Sequence, residues 1–171
     1  MALTWYVLLV AAVAGERLVE LVVARRNLSW SRAQGGVEVG FGHYPFMVAL
    51  HTALLVGCVA EVWLLDRPFL PWLGWTMLAV LVAAQALRWW CIASLGPRWN
   101  TRVIVIPGAP RIKDGPYRLF SHPNYVAVVA EGIALPLVHS AWITACVFTV
   151  LNAALLTARI RTENAALERL S

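Results

Sequence analysis

Charge is what this chain has least of. Only 13% of its 171 residues are Asp, Glu, Lys or Arg, while 60% are hydrophobic; soluble domains average about 25% and 45–50%. With a mean hydropathy of +0.69, that composition excludes an ordinary water-soluble domain. It also excludes intrinsic disorder, which needs low hydrophobicity and high net charge. Cysteine is scarce: Cys58, Cys91 and Cys146 lie far apart, each inside an apolar stretch. That excludes zinc or redox spacing and leaves three small buried hydrophobes. No Gly-x-Gly-x-x-Gly follows a strand-like run, which excludes a soluble Rossmann-type domain. No basic residue precedes the first apolar run, so Ala12-Val13-Ala14 is read as part of an uncleaved first helix rather than as a cleavage site.

What is plentiful is apolar sequence in long runs. Five stretches stand out: Leu3–Ala24, Pro45–Leu65, Leu70–Leu95, Asn124–Val138 and Ser140–Ala158. The first three reach the roughly 20 residues that a crossing helix needs. The fourth is short and holds Pro136; it meets the fifth through His139 and Ser140, as a tight helical hairpin or a re-entrant pair. The expectation is a single all-α integral membrane domain over residues 1–171, with about five transmembrane helices. Trp5, Trp63, Trp72, Trp75 and Trp142 fall near the ends of these stretches, as an interfacial belt does.

Positive charge sets the orientation. Eleven of the fourteen basic residues lie in three segments: Arg25–His43, Gly96–Pro123 and the tail after Ala158. An odd number of spans puts all three on one side, leaving Arg67 on the other. The positive-inside rule then predicts an outer N-terminus, a cytoplasmic C-terminus and, if the source is bacterial, an inner-membrane location. The formal charge of +5 is spread in short pieces between apolar runs. Anionic headgroups are therefore the expected partner rather than nucleic acid.

Polar residues inside spans are costly and usually functional. Here they are Glu16, Arg17, Glu20, His51, Gln85, Arg88, Glu131 and Asn152. At about 1.5 Å per residue, Glu20 lies ~6 Å from the cytoplasmic end of its span, His51 ~9 Å, and Arg88 and Glu131 ~10 Å. Glu16 and Arg17 lie ~11–12 Å in and Gln85 ~15 Å. For the set as a whole the expectation is a polar cavity open to the cytoplasm. The alternative is buried pairing, Arg17 with Glu20 or Arg88 with Glu131, that merely fixes helix packing.

The longest non-apolar stretch, Gly96–Pro123, offers a short strand at Val103–Ile106, a turn at Pro107-Gly108 and another at Asp114-Gly115-Pro116. His122-Pro123-Asn124-Tyr125 then opens the fourth helix, with Pro123 suited to its first turn. Free backbone N–H groups there, flanked by His122 and Tyr125, make a polar ligand site, or else His122 is simply solvated or capping. In the last helix the spacing of Asn152, Arg159 and Glu163 puts all three on one face. Arg159 and Glu163 leave the membrane on the side of the His122 loop, as a ligand pair or as a snorkelling arginine with an i,i+4 partner.

Gly115-Pro116-Tyr117, Ser121-His122-Pro123-Asn124-Tyr125 and Arg159…Glu163…Leu167 together resemble the isoprenylcysteine carboxyl methyltransferase family. The resemblance runs from Leu95-Gly96 to Leu167. It departs from the family pattern at Ser121, where arginine is usual, and at Asn164, where a second glutamate is usual. It implies S-adenosylmethionine as methyl donor, held in a cytosol-facing pocket over residues 96–167. Carried over by position, cofactor contacts are Ala109, Pro110, Arg111, Ile112, Tyr117, His122, Pro123, Asn124, Tyr125 and Glu163, and Arg159 faces the acidic group of the acceptor. Glu16-Arg17-Leu18-Val19-Glu20, Arg25-Arg26-Asn27, Gly36…Glu38, His43-Tyr44-Pro45 and His51 resemble a bacterial branch of the family. Some members of that branch O-methylate long-chain alkylpyrones or alkylresorcinols.

The expected chemistry is O-methylation of an acidic oxygen on a lipophilic acceptor that enters from the bilayer. A carboxylate or hydroxypyrone enol is already acidic and needs positioning. A resorcinol phenol, with a pKa near 10 like tyrosine, needs activation, by Glu131 or His51. The alternatives are S-prenylcysteine carboxyl methylation and, in a different class, a small membrane transporter using Glu16 or Glu131. Another lipid enzyme on a related scaffold is the remaining rival; Arg159 argues against an amine acceptor.

Overall fold

The computed structural model describes residues 2–40, 42–110 and 112–170. Five helices make up most of it: α1 (Ala2–Ala33), α2 (His43–Leu64), α3 (Pro71–Leu95), α4 (Pro123–Leu137) and α5 (Trp142–Leu170). Two short strands, β1 (Val37–Val39) and β2 (Val103–Val105), lie outside the helical bundle. By length and composition α2, α3 and α5 can each cross a membrane. This is an all-α membrane protein. α4 has 15 residues, about 22 Å at 1.5 Å per residue, short of a bilayer core of about 30 Å. α1 and α5 run further than their apolar stretches, to Ala33 and Leu170.

The helix boundaries follow from local chemistry. Pro71 and Pro123 each sit in the first turn of their helices, where the missing N–H costs nothing and φ is already set. α3 ends at Gly96, whose φ of +52° suits glycine. α4 and α5 form the expected hairpin, turning through Val138, His139, Ser140 and Ala141. The two helices approach closely at Gly132, where an added Cβ would overlap the Phe148 ring.

Glu61 near the end of α2 holds the start of α5. Its carboxylate accepts from the backbone N–H groups of Ile143 at 3.1 Å and Thr144 at 2.7 Å, and from Arg67 Nε at 3.0 Å. These are free donors of a helix N-terminus, where negative charge is favoured. The main apolar core lies in the same half of the bundle, around Tyr6, Leu54, Cys58, Leu135 and Val138. There the Tyr6 hydroxyl donates to the Leu135 carbonyl at 3.0 Å.

The buried charges resolve into pairs. Arg17 meets Glu20 at 2.9 Å and Glu131 at 3.5 Å; Arg88 donates to Glu131 at 2.5 Å and lies 3.6 Å from Glu20. Gln85 bridges Glu16 at 2.5 Å and Arg17 at 3.2 Å. The network fills the space between α1, α3 and α4 with its own side chains, because charge taken out of water must be paired. The expected polar cavity therefore does not form from these residues, and the alternative, pairing, is what the structure shows.

β1 and β2 pair antiparallel, Val37 opposite Val105 and Val39 opposite Val103. β2 agrees with the expected strand. β1 went unpredicted, although Gly35-Gly36 and Gly40 bracket an alternating Val-Glu-Val. The ladder ties the segment after α1 to the segment after α3. Asn27 Nδ2 reinforces the tie by donating to the carbonyls of Gly96 at 3.2 Å and Trp99 at 2.8 Å.

Glu131→Ala is expected to lower the stability of the detergent-solubilised protein by about 3–5 kcal/mol, because two buried guanidiniums lose a partner. The double change Glu131→Leu with Arg88→Met should recover much of that loss. Thermal unfolding of the two variants side by side checks both statements; equal losses would mean that the pair does not act as a unit.

Candidate functional site

One large cavity, about 600 Å³, opens where the loop after α3, the start of α4 and the end of α5 converge. That volume falls in the range of small-molecule sites. α5 contributes Arg159, Glu163, Asn164 and Leu167; α4 and the residues before it contribute His122, Asn124 and Tyr125. β2 forms a wall, and Trp99, Asn100, Ala109, Pro110, Ile112 and Tyr117 complete the loop side.

The Tyr125 hydroxyl is the joint of the site. It donates to Glu163 Oε2 at 2.5 Å and accepts from Arg159 Nε at 3.0 Å. Arg159 and Glu163 are one helical turn apart on α5, so a single phenol from α4 orders both. The His122 ring stacks on the Tyr125 ring at 5.4 Å, and His122 Nδ1 stands 3.9 Å from Glu163 Oε1. Arg159 Nη2 also donates to the Thr101 carbonyl at 2.6 Å, and Nη1 to Met47 Sδ at 2.7 Å. Among the described residues Arg159 has no carboxylate partner.

The loop is shaped by its own contacts. Arg98 Nη1 donates to the Pro110 carbonyl at 2.8 Å, drawing the start of the loop onto its middle. Arg102 pairs with Glu38 of β1 at 2.7 Å and stacks 4.5 Å from the Tyr44 ring centre. The hydrogen bond to Glu38 pushes the Arg102 pKa up, so its positive charge is secure. Burial, with the Cys91 thiol alongside, pushes the Tyr117 phenol well above its ordinary range. Tyr117 therefore lines the cavity as a neutral hydroxyl. Three polar atoms of lining residues, Trp99 Nε1, Asn100 Nδ2 and Asn124 Oδ1, are buried without a hydrogen-bond partner. Such groups are costly unless a ligand satisfies them.

A model of the isoprenylcysteine carboxyl methyltransferase (ICMT) family matches residues 77–169. The chain belongs to this family. It is a membrane methyltransferase, and members of the family use S-adenosylmethionine. The chain is also similar to the uncharacterized protein YpbQ of Bacillus subtilis (strain 168), 40% identical over 165 residues that cover 96% of this chain and 97% of that protein. No solved structure matches.

Within the family's matched region, the structure brings Ala109, Pro110, Ile112, Tyr117, His122, Asn124, Tyr125, Arg159 and Glu163 to one cavity. Pro123 is buried and does not line the space; it shapes the helix start. Arg111 lies outside the described residues. Glu131 and His51 are not brought to the cavity. Glu131 is occupied by Arg88 and Arg17. His51 lies on α2 with Nδ1 2.9 Å from the Met47 carbonyl and its ring edge-on to Phe148. Trp99, Asn100, Thr101 and Met47 were not anticipated. Only the position of the first three, between the end of α3 and the expected strand, hinted at them.

Tyr125→Phe removes the joint while keeping the ring. The expected result is a loss of about 1 kcal/mol, or about 2–4 °C in Tm, since one hydroxyl serves two charged groups. Thermal unfolding in detergent measures it. An unchanged Tm would show that Arg159 and Glu163 hold their places without the phenol.

Proposed function

We propose that this chain is an S-adenosylmethionine-dependent O-methyltransferase acting on the acidic oxygen of a lipid-like acceptor, with a long-chain alkylpyrone or alkylresorcinol favoured. The observation that carries the reading is Arg159: a guanidinium on the cavity wall with no carboxylate partner among the described residues, one turn from Glu163. A cation left unpaired at such a site suits an anionic oxygen and repels an amine.

The cavity residues fit the cofactor chemically. S-adenosylmethionine carries a carboxylate, cationic centres, hydroxyls and an aromatic base. The lining offers Arg98 and Lys113 for negative charge, Glu163 and Glu168 for positive charge or hydroxyls, and the unpartnered Asn100, Asn124 and Trp99 atoms for hydrogen bonds. When bound, the cofactor supplies an electrophilic methyl group. Arg159 orients and stabilises the acceptor anion, and Tyr125 holds Arg159 and Glu163 in register. The buried network keeps the helices in place. An acceptor already ionised at neutral pH needs no general base, which accords with Glu131 being committed to ion pairs.

The acceptor is read as a lipophilic molecule entering from the bilayer. S-Prenylcysteine carboxylates share its chemistry. The near full-length bacterial relative favours a lipid, since bacteria generally lack the prenylated-protein pathway. The N-terminus is placed outside and the site on the cytoplasmic face of an inner membrane. The positive-inside distribution supports this, as does the β1–β2 ladder, which gathers two of the three basic segments near the end of α5.

Purified protein in detergent, given methyl-labelled S-adenosylmethionine with a farnesylcysteine analogue, a long-chain alkylpyrone or an alkylresorcinol, tests the reading. Label is expected in the alkylpyrone or alkylresorcinol. Glu163→Ala should abolish cofactor binding with the fold intact. Arg159→Ala should keep cofactor affinity and lose about 10–150-fold in kcat/KM for the acceptor, the worth of one hydrogen bond to a charged group. Label only in farnesylcysteine would move the substrate to the prenyl branch, and no binding and no transfer would discard the reading.

A further inference from the structure

Arg159 faces two spaces. Besides the large cavity, it lines a small cleft of about 10 Å³ against the start of α2, with Val39, His43, Tyr44 and Thr101. That cleft has no room for a substrate group as it stands; it is about the size of a single water site. Met47 lies one helical turn beyond His43 on the same face of α2, half-buried, and lines neither space. Its Sδ takes the Nη1 donor of Arg159 at 2.7 Å.

The three guanidinium nitrogens are thus unequally served. Nε and Nη2 bond to oxygens, the Tyr125 hydroxyl and the Thr101 carbonyl. Nη1 bonds to a neutral thioether, a weak acceptor. An anionic oxygen makes a far stronger bond to the same donor. Methionine is also unbranched and rotates readily about its side-chain bonds, whereas Thr101 offers a backbone atom.

We propose that Met47 is a positioning and specificity residue whose thioether holds, on Arg159 Nη1, the place that the anionic oxygen of the acceptor takes. Displacement of the Met47 side chain leaves Arg159 Nη1 to the acceptor's oxygen. The proposal rests on the O-methyltransferase reading for the identity of that oxygen. It places the acceptor's acidic oxygen on Arg159 Nη1, at the margin of the large cavity that Arg159 also lines, where an oxygen can meet a methyl donor in line at about 3–3.5 Å. A group whose acidic oxygen cannot displace a thioether is excluded at this point, which makes Met47 part of the choice of acceptor.

The chain has three methionines, so a methyl-labelled methionine NMR spectrum of the full-length protein in detergent can follow Met47 directly. Addition of a long-chain alkylpyrone is expected to shift the Met47 methyl signal and leave that of Met77 in place. S-Adenosylmethionine alone should leave Met47 nearly unmoved. In parallel, Met47→Glu, which puts a carboxylate on Arg159, should raise the acceptor KM at least tenfold, with cofactor affinity by calorimetry within about twofold of wild type. Met47→Leu, which keeps the bulk and removes the sulfur, should lower KM several-fold. Wild-type transfer with an unmoved Met47 signal, or with KM unchanged in both variants, overturns the proposal and leaves the methyltransferase reading standing. A Met47 shift on alkylpyrone addition, in a protein that neither binds cofactor nor transfers methyl, supports the displacement and sinks the reading of the reaction. Neither shift nor transfer overturns both.

Discussion

Charge placed in an apolar bundle has to be neutralised inside it, and that requirement governs where the helices of this protein lie. Arg88 of α3 reaches Glu131 of α4 and approaches Glu20 of α1, while Arg17 of α1 reaches Glu20 and Glu131. Removing any one member takes one of two partners from each of two buried charges, so the three helices are held as a set. α4 is too short to rely on the membrane for its position. It is fixed instead by this network on one side and by the close approach of Gly132 to Phe148 of α5 on another. With α4 located on both sides, Tyr125 in its first turns comes to rest against Arg159 and Glu163.

The site itself works by the opposite rule. Arg159 is a cation whose hydrogen-bonding partners are neutral: a phenol, a backbone carbonyl and a thioether. Such an arrangement orients the guanidinium without cancelling its charge. Among the described residues Glu163, one turn away, is linked to it through the Tyr125 hydroxyl and not by a direct ion pair. The two opposite charges are held near each other and kept from pairing directly. This is a different use of charge from that in the network around Glu131, where every carboxylate meets a guanidinium.

The distinction also explains what could be read from the amino-acid order. The apolar runs, the α4–α5 hairpin and β2 were legible, because each depends on local periodicity or on proline and glycine signals. The cavity residues His122, Asn124, Tyr125, Arg159 and Glu163 were legible through spacing and family resemblance. Whether the charges inside the spans would pair or line a cavity was not legible. That outcome depends on the separation of α1 from α3 and α4, and spacing along one helix does not encode it. Glu131 and His51 were drawn to the chemistry by depth alone, and depth does not say which face a side chain takes. β1 was missed for a related reason: three residues pair only because β2, 64 or more residues later, lies beside them. Met47 carried no signal, since an isolated methionine in an apolar helix ordinarily reads as core.

Arg159 lines both the roomy cavity, with its two signs of charge and unsatisfied polar atoms, and the small cleft against α2. On the proposed reading a water-soluble, charged donor and a greasy acceptor have to meet, and direct transfer needs the acidic oxygen in line with the methyl group at about 3–3.5 Å. The guanidinium then stands beside the reacting pair and not between them. The acceptor can keep its tail among apolar helix faces while only its acidic oxygen reaches the guanidinium and the donor. A single cation beside the meeting point can orient the acceptor without drawing its tail out of the bilayer. On the proposed reading, this accounts for the basic and acidic lining residues gathering at one end of a bundle that is otherwise apolar.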